Sequence, residues 1–499
     1  MKLTPSSAKQ CNTNLRIKIM KENIIGRNNE KDILKRIYES KKSEFVAIYG
    51  RRRVGKTFLI REYFESELVF QSSGLAGLNT QEQLKNFFYT LRRYDNTLTS
   101  MPKDWIEAFE MLISYLDSLT SVARKVVFLD ELPWMDTPNS GFVAALEHFW
   151  NGWASARRDI VLVVCGSATS WMMNKLIHNH GGLYGRLTQR ISLSPFTLYE
   201  SEAFLHHKGI SLSHYEMAEL YMILGGIPYY LDLLDERLSL AQNIDRLLFN
   251  PNGALYNEFS TLFRSLFKDS EAYMKVVETL HLRGYGMSRL EIAEQAHMKS
   301  GKGLTTILED LEACGFIRKY SQYGCSSRKS LYQLVDFFCL FHFRFLRDSS
   351  FRHLQSWTSL QRTPRFYNWA GISFEMLAMN HINAIKQKLG ISGVGTQVYS
   401  WRSKNEEEDK RAAQVDLVIE RADNTVNLCE MKFSEGEYAI TKDYELLLRN
   451  KIERFRTETK TRKSIQLTFV TSYGLKRNPY TGIAQNEVVL DNLFVQTQP

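Results

Sequence analysis

FVAIYGRRRVGKTFLIREYF runs from Phe45 to Phe64 and changes character twice. Phe45, Val46, Ala47, Ile48 and Tyr49 form a short apolar run, the mark of a buried strand. Gly50, Arg51, Arg52, Arg53, Val54, Gly55, Lys56 and Thr57 then spell G-x-x-x-x-G-K-[ST], the pattern of a phosphate-binding loop. Glycine lets such a loop turn tightly, so that successive N–H groups converge on one anion. Lys56 adds a compact positive charge for the β- and γ-phosphates, and Thr57 a hydroxyl for magnesium. The helix predicted from Phe58 to Phe64 would present its positive end to the same anion. Chance produces this pattern in roughly two chains of this length in a hundred. A strand before it and a helix after it make coincidence rarer still.

Downstream, apolar runs and helical patterns alternate. Leu68 to Gln71 reads as a strand, and residues 80–118 carry helical spacing. Lys125 to Leu129 is a strand closed by Asp130 and Glu131. At the end of a strand some seventy residues beyond a phosphate loop, Asp130 is placed to hold magnesium and Glu131 to polarise an attacking water. Ile160 to Ser167 is a third strand whose last residue, Ser167, would lie beside the γ-phosphate. Arg186 follows Gly185 and reads either as an arginine that senses phosphate or as one arm of a surface salt bridge. Strands alternating with helices predict a doubly wound parallel sheet, with ATP and Mg2+ at its carboxyl edge.

Residues 196–255 read as helical, broken by Gly225-Gly226-Ile227-Pro228 between two helices. Gly26-Arg27 with Glu30, the loop from Gly50 to Thr57, Phe128 to Glu131, Cys165-Gly166-Ser167, Gly185-Arg186 and this Gly-Gly-x-Pro break together resemble the archaeal-type ATPase family. That family belongs to the STAND-related branch of AAA-like P-loop ATPases. The likeness covers about residues 21–250. It implies ATP binding and hydrolysis and a helical lid, and it makes the turn and helix before Phe45 a cover for the adenine. The lid offers no arginine that matches a sensor.

From Tyr273 to Leu334 the pattern is three helices and two strands, a winged helix-turn-helix with Arg328 and Lys329 at the wing tip. Thr305, Thr306, Glu309, Asp310 and Glu312 make the third helix acidic, so a DNA reader and an internal packing module both fit. Val335 to Arg347 is strongly aromatic and predicts a buried connector.

Trp369 to Leu389 predicts one helix carrying Glu375. Strands follow at Thr396 to Trp401, Gln414 to Glu420 and Thr425 to Lys432. The order helix-Glu375, strand-Asp416, strand-Glu430-x-Lys432 is similar to PD-(D/E)xK nucleases and to the C-terminal domain of many archaeal-type ATPases. Val415 stands where the nuclease pattern has proline. Asp416 and Glu430 would be metal ligands with Glu375 assisting, and Lys432 would act on the water or the transition state. A nuclease-like fold used only for packing or partner binding fits the same residues.

The expected architecture is therefore α/β. A tail spans 1–20, an ATPase core 21–195, a helical lid 196–255, a winged helix 256–335, a connector 336–365 and a nuclease-like α/β domain 366–499. In the 499 residues, 44% are hydrophobic and 24% charged, an ordinary globular balance. Apolar runs stay short of the ~18 residues of a membrane span, and the basic, polar first residues do not read as a signal peptide. Six scattered cysteines suggest reduced thiols in a cytoplasm. The net charge of +9 suits a DNA partner as well as a solvated surface. A protein partner or a second copy of the chain completes the partners expected.

Overall fold

In the computed structural model, which describes residues 23–177, 181–284, 286–325, 330–348, 355–403 and 413–497, the run at Phe45 is strand β1, Glu44–Tyr49. The others of its sheet are β2 (Leu68–Ser73), β3 (Lys125–Asp130), β4 (Ile160–Gly166) and β5 (Gln189–Ser192). They lie in the order β2-β3-β4-β1-β5, and every neighbouring pair is parallel. All residues of β3 and β4 are buried, as a parallel sheet covered on both faces requires. β1 pairs with β4 and β5 and is separated in the sheet from β2, its successor in sequence. The loop after β1 thus opens where the strand order reverses, the usual place for a ligand crevice.

The helical spacing over residues 80–118 resolves into two helices, Thr80–Arg92 and Trp105–Ser118. Asn79 and Glu82 close a capping box on the first, and Asp104 caps the second. Phe87, Trp105, Phe109, Phe142 and Phe149 form an aromatic core with Phe45 and Phe70 of the sheet. The chain divides into two units, one ending at Pro195 and the other beginning at Phe196. The expected tail, residues 1–20, lies outside the described residues.

In the second unit, helices His214–Leu224 and Pro228–Asp232 flank Gly225 and Gly226, at φ 73° and 65°. A side chain on Gly226 would place its Cβ 2.4 Å from the carbonyl oxygen of Phe196. Helices Ser270–His281, Arg289–Gln295 and Lys302–Ala313 follow. They accompany a small antiparallel sheet of β6 (Met287–Ser288), β7 (Ile317–Tyr320) and β8 (Leu331–Leu334), in the order β6-β8-β7. Arg328 and Lys329 lie outside the described residues. Within the aromatic stretch, Phe337, Phe338, Phe341 and Phe345 are buried, and Phe341 and Phe345 meet Trp357 and Trp369 edge-on.

The single helix expected from Trp369 to Leu389 is two helices, Pro364–Asn380 and Ile382–Lys388. The break is His381, at φ −107° and ψ 28°. Its buried imidazole accepts the N–H of Leu198 at 2.9 Å, a tertiary bond that spacing alone does not reveal. A mixed sheet of β9 (Thr396–Arg402), β10 (Gln414–Arg421), β11 (Thr425–Lys432), β12 (Ser464–Thr471) and β13 (Asn486–Val489) follows. Its order is β13-β12-β11-β10-β9. β9, β10 and β11 are antiparallel, and β12 and β13 continue in parallel beyond helix Lys442–Thr459. The segment after β7 runs along β9: Gln322 bridges to Ser400, and the Tyr323 N–H donates to the Ser400 carbonyl at 2.8 Å. No helix among the described residues is long and apolar enough to cross a membrane.

Candidate functional site

The loop after β1 is built on left-handed backbone at Arg53 and Gly55, at φ 71° and 91°, and on Gly50 at φ 139°. A Cβ on Gly50 would lie 2.3 Å from the Leu193 carbonyl oxygen, so only glycine fits there. Gly55 precedes the first helical residue, Lys56. Lys56 is 5% exposed, and its Nζ donates to the carbonyls of Gly50 and Arg51 at 3.0 and 2.9 Å. These bonds curl the loop around the lysine stem. Of the three arginines, Arg51 is buried, Arg53 half-buried and Arg52 exposed. Val54 is buried, and its carbonyl accepts a bond from Arg27 Nη2 at 3.1 Å. Arg27 thereby ties the turn before helix Asn28–Glu39 to the phosphate loop, a role its position in the sequence does not show.

The carboxyl ends of β3 and β4 meet this loop. Thr57 Oγ1 donates to Asp130 Oδ2 at 2.8 Å, which brings together the two oxygens expected at magnesium. The other oxygen of Asp130 accepts from the Glu131 N–H at 2.9 Å and from Cys165 Sγ at 2.6 Å. Burial and the Asp130 charge keep Cys165 a thiol well above its usual range. Hydroxyl and carboxylate side by side suit a hard cation, so Thr57 and Asp130 fit Mg2+. Glu131 sits at φ 48°, outside the strand, and its side chain is held by Ser167. Ser167 Oγ lies 2.9 and 2.8 Å from the two carboxylate oxygens, and its N–H donates at 3.2 Å. Expected beside the γ-phosphate, Ser167 thus holds the carboxylate expected to act on water. Arg186 is exposed and makes no ion pair among the described residues.

In the second unit Glu430 is 7% exposed and enclosed. Lys451 Nζ donates to its Oε1, Tyr444 donates to Oε2 at 2.9 Å, and Lys432 Nζ lies 3.8 Å from Oε2. Glu430 and Lys432 therefore share a strand face, as their two-residue spacing predicts. Gln414 donates to Asp416. Burial raises the Asp416 carboxyl, and burial with the Asp416 charge raises that of Glu375 well above the usual range. Asp416 also lines a small cavity with Arg318 of β7, whose guanidinium is lowered by burial and drawn the other way by Asp416 and Glu375. Among the described residues, no three His, Cys, Asp or Glu side chains are grouped to hold a metal. Glu375, Asp416 and Glu430, the set expected to share one, are thus not gathered around a cation site. The cations near them belong to the chain: Lys432, Lys451 and Arg318.

Lys451, on helix Lys442–Thr459, is paired with Glu430. Tyr444 and Arg318 carry no motif that would single them out, and only the folded sheet brings them to the carboxylates. On helix Lys302–Ala313, Glu309 and Glu312 are exposed, while buried Asp310 accepts from Tyr273.

Residues 25–234 match a family model described as an ATPase domain predominantly from Archaea. An uncharacterized protein of Methanocaldococcus jannaschii is 24% identical over 388 residues, 77% of this chain and 83% of its own length. An uncharacterized ATP-binding protein of the same organism is 37% identical over 49 residues, 10% of this chain and 83% of its own length. Among solved structures, the Walker-type ATPase of Pyrococcus abyssi is 18% identical, with a TM-score of 0.48, covering 64% of this chain and 95% of that one.

Proposed function

Because the chain belongs, through residues 25–234, to the ATPase domain family found predominantly in Archaea, we propose that it is a switch that binds and hydrolyses ATP and passes its state to the C-terminal α/β domain. The observation that carries this reading is the junction of loop and strand ends, where Thr57 meets Asp130 at 2.8 Å and Ser167 holds Glu131. The N–H groups between Gly50 and Thr57 cradle the phosphates, and Lys56 exchanges its loop carbonyls for the β- and γ-phosphates. Thr57 and Asp130 would hold Mg2+, which would shield the phosphate charge. Glu131 accepts a proton from the attacking water, and Arg186 remains the candidate for sensing the γ-phosphate. The test is magnesium-dependent ATP turnover by the full chain beside Lys56→Ala. The wild type should bind and hydrolyse ATP, and the variant should do neither, since the phosphate charge loses its buried partner. Wild-type protein with no heat of ATP binding would overturn the reading.

For the C-terminal domain, the geometry favours a regulator that binds a partner without cutting DNA. Its Glu430 is already paired with Lys451 and Lys432, and the segment after β7 is paired with β9. Among the described residues no three such side chains are grouped for a metal, which supports this reading. A second reading, a metal-dependent nuclease acting on DNA, is favoured by one observation: Glu430 and Lys432 share a face, with Asp416 and Glu375 within electrostatic reach. Incubation of supercoiled and linear DNA with the full protein, ATP and either Mg2+ or Mn2+ separates the two. Cleavage that disappears in Asp416→Ala and in Lys432→Ala establishes the nuclease; intact DNA under every condition leaves the regulator.

A further inference from the structure

The phosphate loop is held from two sides. From within, Lys56 Nζ binds the carbonyls of Gly50 and Arg51. From outside, Arg27 Nη2 donates to the Val54 carbonyl at 3.1 Å, across 27 residues of sequence. Arg27 is 5% exposed, and Glu30 Oε1 lies 3.9 Å from its other terminal nitrogen. The turn that aims this side chain is unusual. Gly26 and Arg27 are both left-handed, at φ 64° and 56°, a conformation costly for a residue that carries a Cβ. Lys31 fixes the turn twice, its N–H on the Arg27 carbonyl at 2.8 Å and its Nζ on the Ile24 carbonyl at 3.1 Å.

A trans peptide is planar, and its carbonyl and N–H point opposite ways. The Val54 carbonyl and the Gly55 N–H belong to one such peptide. A bond that holds the carbonyl toward Arg27 therefore turns the Gly55 N–H away from it. That N–H donates to nothing among the described residues. The space beside Gly55 is open as well: apart from its chain neighbours, a Cβ built there meets no atom within 4 Å. Glycine at φ 91° constrains its own peptide little. Without Arg27 that peptide is free to flip and to offer a carbonyl, which repels an anion, where the N–H now stands.

We propose that Arg27 is a positioning residue for nucleotide binding: it touches no phosphate itself, and it sets the Gly55 N–H to donate to one. The inference rests on the ATP reading above and adds to it a residue outside the motif from Gly50 to Thr57. When phosphates draw Lys56 off its two loop carbonyls, the Arg27 bond to Val54 is the one that keeps the loop in shape. Lysine at position 27 would offer one donor group in place of the fork that reaches both Val54 and Glu30.

The test is calorimetric titration of the full-length protein with ADP and Mg2+, beside an amide spectrum recorded on carbonyl-labelled valine and nitrogen-labelled glycine. Val-Gly occurs twice in the sequence, at 54–55 and 394–395, so the spectrum holds two signals. Val394→Ala deletes the second and so assigns the first to Gly55. In the wild type the Gly55 signal should move downfield at saturation, as its proton enters a charge-assisted bond. Arg27→Met should weaken ADP about 10-fold, the loss of one bond to a charged group, and the signal should no longer move. Arg27→Lys should weaken ADP only about 3-fold and keep part of the movement; it decides the matter if Arg27→Met does not fold. Wild-type protein that binds ADP with an unmoved Gly55 signal overturns this inference alone. So do wild-type affinity and movement in the deciding variant, whatever its melting temperature. Wild-type protein that binds no ADP overturns the ATP reading as well.

Discussion

Ser167 is the side chain through which the two strand ends act on each other. Its hydroxyl and N–H both reach Glu131, which leaves β3 in a left-handed conformation that few non-glycine residues adopt. Glu131→Gln keeps the shape of the side chain and an oxygen for Ser167, and loses the basic site. It should bind ATP like the wild type and turn it over at least ~100-fold more slowly. Turnover at the wild-type rate would remove Glu131 from the chemistry. Ser167→Ala frees the carboxylate without removing it. Turnover should fall, by less than in Glu131→Gln, while ATP affinity holds. Equal turnover in Ser167→Ala and wild type would mean that the contact does not position the base. The phosphate loop was legible because spacing carries its chemistry: glycine, lysine and threonine must stand at those intervals for backbone N–H groups to converge. The contacts of Ser167, Arg27 and Lys451 were not, because each depends on which strand or turn the fold lays beside it.

At the scale of elements, the instructive case is the break at His381. Leu198 N–H can only donate, so Nε2 accepts it, and Nδ1 therefore carries the proton given to the Leu377 carbonyl at 2.8 Å. The ring is neutral by construction. Burial holds it down to about 4, against a weaker upward pull from the Leu377 carbonyl and Glu200. His281 is likewise lowered to about 4 by burial and by Arg344 and Arg347. For a base depressed in the fold, the stabilisation is present above the unfolded value near 6.5 and is lost as pH falls through the folded one. Thermal melts should therefore be flat from pH 8 down to about 6.5 and fall steadily toward pH 4. His381→Gln keeps one donor and one acceptor and should make that fall shallower; an identical slope would show that this ring does not titrate with unfolding. The two helices around His381 carry continuous helical spacing, and periodicity reads them as one. The parallel sheet was easier, since buried runs such as Val126 to Leu129 and Ile160 to Val164 leave little else to be. Charge patterning marked the C-terminal carboxylates but not the cations that the fold brings near them, because Arg318 lies on β7, far away in sequence and in another small sheet.

At the scale of the whole molecule, the chain is two units with different work: one carries the phosphate loop, the other a helical array and a mixed sheet. Full-length protein should therefore lose ATP binding in Lys56→Ala and keep the far-ultraviolet dichroism of the wild type. A collapse of that signal would mean that the loop is structural. The strip where Gln322 and Tyr323 lie against Ser400 has a further consequence. β9 is the last strand of its sheet, and an uncovered last strand is a template for another chain. In the intact protein part of that rim is covered by the segment after β7. A fragment restricted to residues 366–499 would leave its row of amides and carbonyls bare. Such a fragment should self-associate, eluting from a sizing column as concentration-dependent oligomers, whereas one begun at residue 256 should keep the rim covered and resist doing so. The short tract after β7 would then be a built-in guard against strand-to-strand aggregation.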